Sequence, residues 1–141
     1  MPATHAPAPT SKLAPLPRPL VEKAVADALA EDLGLVGDIT TEATLPSGRR
    51  ATCIHAARQP GVIAGLDHAR AAFNHRNPEI RFDVEKPDGT PVAPGDIVAT
   101  ISGDARAILS AERVALNFLG RMSGIATLTN AYVTRIAGTN A

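Results

Sequence analysis

Apolar positions change their period several times along this chain, and each change marks an element. Leu20, Val21, Ala24, Val25, Ala28 and Leu29 recur at helical spacing, and Leu33 extends the stripe, so an amphipathic helix begins near Pro19. Glu22, Lys23, Asp27 and Glu31 fall mostly on the other side. Proline suits an early helical position, because the first turn has no use for its missing N–H. Gly34 stands where a left-handed residue commonly ends a helix. Gly37-Asp38-Ile39-Thr40-Thr41 and Pro46-Ser47-Gly48 read as turns, with side-chain oxygens placed to accept from backbone N–H groups.

Strands follow. The run 51–57 reads as extended, Gln59-Pro60-Gly61 interrupts it, and Val62-Ile63-Ala64 resumes it. Leu66, Ala69, Ala72 and Phe73 return to helical spacing, and Asn77-Pro78 stops that helix, because the residue before a proline is pushed out of the α region. Ile80, Phe82 and Val84 alternate with Arg81, Asp83 and Glu85, the period of a strand with one buried face. Asp88-Gly89 is a turn, and Val92 and Ile97–Ile101 form strands about the turn Pro94-Gly95-Asp96. The last third is helical. Ser110 is the expected N-cap of a helix from Ala111, with Glu112 in its favourable first turn. Ser123-Gly124 is expected to weaken or break that helix, and a second helical stretch runs on to about Ile136. Strands grouped between segregated helices predict an α+β fold with a small, mainly antiparallel sheet packed by helices.

Composition narrows the class. The 141 residues are 45% apolar but only 3% aromatic, without tryptophan, so the core is built from Ala, Val, Ile and Leu. Fourteen basic residues balance fourteen acidic ones, which argues against nucleic acid as a partner, since that affinity draws on excess Lys and Arg. No apolar run approaches the roughly 20 residues of a membrane span, so no membrane is expected. The Pro/Ala-rich start, residues 1–18, lacks a signal-like apolar segment and reads as a flexible tail. The lone Cys53 has no disulfide partner, reads as a buried strand thiol and is compatible with a reducing cytoplasm.

Candidate chemistry concentrates in the last third. At about 100° per residue, Arg113, Asn117 and Arg121 line one helix side, with Gly120 and Gly124 between them, while Val114, Phe118 and Met122 form a separate apolar stripe. Helical glycines cost about 1 kcal/mol each against alanine, so close approach of another helix, a subunit or a ligand is expected there. An arginine on such a face can bind a carboxylate through two parallel hydrogen bonds; a solvated helix with surface arginines is the competing reading. His68 and His75 are seven apart and lack the three- or four-residue spacing of a metal pair. His55 and His5 read as structural or solvent-facing. Asp38 with Thr40 and Thr41 reads as a turn cap before an ion site. Neither a phosphate-cradling glycine loop nor a nucleophile elbow is present in the sequence.

Three stretches together resemble one family, the quinolinate phosphoribosyltransferases. They are Glu31-Asp32-Leu33-Gly34 leading to Gly37-Asp38-Ile39-Thr40-Thr41; Gly61-Val62-Ile63-Ala64-Gly65-Leu66; and Glu112–Leu119 (ERVALNFL) continued by Ser123-Gly124-Ile125-Ala126-Thr127. The resemblance implies a hammerhead-like N-terminal domain over residues 19–120 and the start of a C-terminal barrel domain at 121–141. It implies quinolinate and phosphoribosyl pyrophosphate as substrates, nicotinate mononucleotide, pyrophosphate and CO2 as products, and a step in de novo NAD synthesis. It implies a homodimer or higher homo-oligomer with shared active sites, in which Arg113 reaches across to bind a quinolinate carboxylate. The family's Mg2+, its phosphate contacts and its catalytic groups are expected after the last helix, so the barrel is expected to be missing here. No catalytic or metal-binding residue is then assigned within this chain, and the chain alone is expected to be inactive. A molybdenum-transport-associated paralogue of the same fold is the nearest alternative. An oligomerisation module is another. A biotinyl or lipoyl carrier is the last, with Lys86 near the Asp88-Gly89 hairpin as its modified residue.

Overall fold

A computed structural model describes residues 14–34 and 37–139. Most of the tail expected at 1–18 lies outside the described residues. Among those described, helix α1 spans Arg18–Leu33, α2 Ile39–Thr44, β1 Arg50–Ala56, β2 Gly61–Val62 and α3 Leu66–Arg76. They are followed by β3 Arg81–Val84, β4 Pro91–Val92, β5 Ile97–Asp104 and α4 Ala105–Ile136. This is the α+β architecture expected, a small antiparallel sheet with helices.

The sheet is antiparallel, in the order β1-β5-β3, with β2 and β4 forming a separate two-stranded ribbon. Ile101 on the central strand stands opposite Cys53 on one side and Phe82 on the other. Helices α1, α3 and α4 pack on one another, and α4 meets β1 and β5 of the sheet. Val25, Phe73 and Ile101 are the largest wholly buried side chains, and Phe73 lies 5.9 Å from Phe82, ring centre to ring centre. Beyond Leu119 no residue of α4 is buried, and Ile125, Leu128, Tyr132, Val133 and Ile136 lie exposed.

Three local expectations are corrected. The Gly37–Thr41 segment is not only a turn: Asp38 caps the six-residue helix α2, its carboxylate accepting from the Thr41 N–H at 3.0 Å and from the Thr41 hydroxyl. The last helix starts at Ala105, capped by Asp104 accepting from the Ala107 N–H at 2.9 Å, rather than at Ser110. Ser110 is buried, donates to the Ala107 carbonyl and accepts from Arg76 Nε at 3.0 Å. Finally, Ser123-Gly124 does not break the helix, since α4 runs unbroken for 32 residues.

A candidate carboxylate site where three motifs meet

All three of the sequence stretches singled out converge on α4. The first meets it through Arg113. Its Nη1 donates to Asp32 Oδ1 in the last turn of α1 at 3.2 Å, with the Arg113 side chain 75% exposed and that of Asp32 23% exposed. One contact occupies one of the five N–H donors of a guanidinium. Arg113 is therefore paired with Asp32 through one N–H and otherwise largely exposed.

Asn117 and Arg121 continue from Arg113 on the same helix side. They line a cleft of about 730 Å³ against Ala28, Glu31 and Asp32 of α1. Arg121 is exposed and makes no ion pair with any described residue. The cleft is thus lined by one cation on α4, Arg121, and by two acids on α1, Glu31 and Asp32.

The second stretch is held against the third. Ser123 Oγ accepts from the Ala64 N–H at 3.0 Å and donates to the Ala64 carbonyl at 3.1 Å. Thr127 Oγ1 accepts from the Val62 N–H at 2.9 Å and donates to the Ser123 carbonyl at 2.7 Å. Two hydroxyls one helical turn apart therefore satisfy the Val62 N–H of β2 and both backbone groups of Ala64 just beyond it, groups that would otherwise lack partners. At its far end, Asp88 accepts from the N–H groups of Gly65 and Leu66, both at 3.2 Å, and so caps α3 from a distant turn. Gly65 is left-handed at φ +104°, and a β-carbon there would lie 3.0 Å from Met122 Sδ and 3.3 Å from the Phe118 carbonyl oxygen.

The expectation for Gly120 and Gly124 is corrected within the chain: a β-carbon on either would meet nothing within 4 Å. Both border an open apolar groove of about 690 Å³, with Leu116 and Leu128 on the same helix. No described element approaches them.

The remaining candidates are structural. His68 is buried and stacks on Phe118 at 4.9 Å, whereas His75 is exposed. His55 is 5% exposed, and neither ring nitrogen has a hydrogen-bond partner. Burial lowers its proton affinity, with the Glu112 carboxylate opposing that shift. Burial raises the Cys53 thiol above its ordinary pKa, and Glu112 pushes the same way. The hydrogen bonds from the Thr41 hydroxyl and N–H hold Asp38 below the usual carboxylate range. Lys86 is not at a hairpin tip. Its backbone N–H donates to the Val98 carbonyl at 3.1 Å and its ammonium lies 4.0 Å from Asp96, which removes the basis for the carrier reading. Among the described residues no three His, Cys, Asp or Glu side chains cluster to hold a metal. No described helix is long and apolar enough to cross a membrane.

Sequence reasoning passed over Asp32, Ser123 and Thr127 as individual contacts. Ser123 and Thr127 carried a faint signal, two hydroxyls spaced four apart. Asp32 carried another, an acid at the end of a helix that favours cations.

Fold and site define a small antiparallel sheet backed by helices that presents a guanidinium outward from its last helix. The family model for the quinolinate phosphoribosyl transferase N-terminal domain matches residues 38–123, and the chain belongs to that family. The nicotinate-nucleotide pyrophosphorylase (carboxylating) of Mycobacterium leprae is 42% identical over 118 residues, covering 81% of this chain and 41% of that protein. The chloroplastic enzyme of the same name from Arabidopsis thaliana is 43% identical over 102 residues, 72% of this chain and 29% of that protein. Among solved structures, NadC from Streptococcus pyogenes superimposes with a TM-score of 0.85 at 34% identity, covering 89% of this chain and 45% of that one. The nicotinate-nucleotide pyrophosphorylase from Francisella tularensis gives 0.82 at 31% identity, covering 88% and 44%. The chain thus spans less than half the length of each of these relatives.

Proposed function

We propose that this chain supplies the N-terminal domain of an enzyme that condenses quinolinate with phosphoribosyl pyrophosphate, releasing pyrophosphate and CO2 and forming nicotinate mononucleotide for NAD synthesis. Arg113 is its contribution to the site. The guanidinium binds one carboxylate of the pyridine dicarboxylate, as a planar fork matched to two oxygens, and fixes the ring while the other groups act. The observation that carries this reading is the outward pose of Arg113, three-quarters exposed on the helix that bears the family's most distinctive motif.

The site is completed by a barrel domain, and Arg113 reaches that of a second subunit, so the working unit is a homodimer or a higher homo-oligomer. The phosphate-binding groups lie on the barrel. Magnesium neutralises the leaving pyrophosphate, as a hard cation does on phosphate oxygens, with ligands outside this domain. The boundary between the two domains falls near residue 120, within the unbroken helix α4. The reading places the protein in the cytoplasm, which cell fractionation checks.

A chimera tests the proposal. Residues 1–141 replace the matching part of the Mycobacterium leprae relative, and release of labelled CO2 from quinolinate is followed. Turnover dependent on phosphoribosyl pyrophosphate is expected from the chimera, and none from the 141-residue chain alone. A folded chimera that neither binds nor decarboxylates quinolinate overturns the reading.

A further inference from the structure

We infer that Asp32 is the positioning residue for Arg113, kept at an electrostatically unfavourable place in order to fix the pose of that guanidinium. The inference rests on the reading of Arg113 as a carboxylate receptor and extends it to a residue on a different helix. The last turn of a helix carries partial negative charge from its unpaired carbonyls, and cations are favoured there. Helix α1 does the opposite. Glu31 and Asp32 both lie in its last turn, and no basic residue does. Local stability alone selects against that arrangement.

The compensation comes from 81 residues further along the chain, where Arg113 donates to Asp32 Oδ1 at 3.2 Å. An exposed pair of this kind contributes little stability, because solvent screens it and two side chains must be ordered. Geometry is what it provides. Arg113 rises from α4 on a long, rotamer-rich stem, and unrestrained it samples many poses. Anchoring Nη1 on the Asp32 carboxylate, whose side chain is 23% exposed, restricts that freedom and leaves Nη2 and Nε without a hydrogen-bond partner among the described residues. Receptor groups ordered before binding spare the complex the loss of that side-chain freedom. Asp32 itself lines the cleft together with Arg121 and Asn117, and Arg113 joins that cleft through its contact with Asp32.

The test uses the whole 141-residue chain labelled with nitrogen-15. The Arg113 Nε–H resonance is followed in the wild type, Asp32→Asn and Asp32→Glu, with quinolinate as the titrant and thermal unfolding measured alongside. An ordered Arg113 resonance is expected in the wild type, lost in Asp32→Asn and restored in part by Asp32→Glu. The unfolding midpoint should stay unchanged or rise in Asp32→Asn, since a charge unfavourable to α1 has gone. Where quinolinate moves the wild-type resonance, Asp32→Asn should weaken that titration about fivefold to tenfold. An Arg113 signal equally ordered in Asp32→Asn overturns the inference, as does a lowered unfolding midpoint with Arg113 still ordered, which marks Asp32 as merely structural. A wild-type resonance that depends on Asp32 but ignores quinolinate supports the anchor and counts against the substrate assigned above, so the two failures are separable.

Discussion

The Thr127 hydroxyl oxygen occupies the space that a side chain on Gly61 would need: a β-carbon built there would lie 2.7 Å from it. That oxygen is not free to move away, because it accepts from the Val62 N–H and donates to the Ser123 carbonyl, and threonine is stiff at its first torsion. Gly61→Ala should therefore cost about 1–3 kcal/mol in urea denaturation, the range for an overpacked site that also loses a hydrogen bond. Thr127→Ala should cost less on its own and should absorb most of the effect of Gly61→Ala in the double variant. Additive costs would show that the two residues do not meet as described.

His55 sets a pH dependence. Its folded-state pKa lies below the ordinary value of 6.5 because burial disfavours the charged ring. The unfolded chain therefore binds more protons near and below that value, and stability rises with pH through the window. Acidification from pH 7.5 to 5.5 should lower the urea midpoint, with a slope from this group of at most about 1.4 kcal/mol per pH unit. His55→Leu should flatten the slope and hold or raise stability at neutral pH, since both ring nitrogens are buried without partners. Denaturation of the two proteins across pH checks this, and an unchanged slope in His55→Leu refutes it.

Arg106 holds α2 closed from a distance. Its Nε donates to the Leu45 carbonyl at 2.8 Å and an Nη to the Glu42 carbonyl at 3.1 Å, satisfying groups that a helix end leaves without partners. Arg106→Lys should lose the fork while keeping the charge, and should cost about 1 kcal/mol, a typical net hydrogen-bond contribution. Hydrogen exchange should then rise over residues 39–45 while β1 and β5 keep their protection. A uniform rise across the domain would contradict a local role.

Gly120 and Gly124 give the opposite sign from Gly61. Both are helical, and a β-carbon on either meets nothing within 4 Å. Each alanine replacement should stabilise the isolated chain by up to about 1 kcal/mol, the difference in helix propensity. A higher thermal midpoint is the expected result; a loss in the isolated chain would mean that an element of this chain closes over α4.

How far these features can be seen in the sequence depends on whether their causes are local. The stripe of α1, the alternation of Ile80, Phe82 and Val84, and the stop at Asn77-Pro78 are written in neighbouring residues, and α1, β3 and α3 follow them. The α2 segment reads as a turn from Gly37, Asp38 and its threonines, whose oxygens suit backbone N–H groups, and part of what holds it as a helix is Arg106, far along the chain. Ser110 reads as a cap by residue type, yet it lies inside α4 with Arg76 as its partner, a contact that only the packing of α3 on α4 creates. Arg113 was legible because its motif is distinctive. Asp32 stood in a matched motif as well, but its pairing with Arg113 needs the fold.

The most direct test of the central claim is the response of quinolinate turnover to Arg113 in the chimera with the Mycobacterium leprae relative. Arg113→Ala should reduce kcat/KM for quinolinate by about 30-fold to 1000-fold, the equivalent of the roughly 2–4 kcal/mol that truncating one partner of a hydrogen-bonded charge pair costs. The KM for phosphoribosyl pyrophosphate should stay within about twofold, and Arg113→Lys should recover only part of the loss because it lacks the planar fork. An Arg113→Ala chimera that turns over quinolinate as well as its parent would contradict the account.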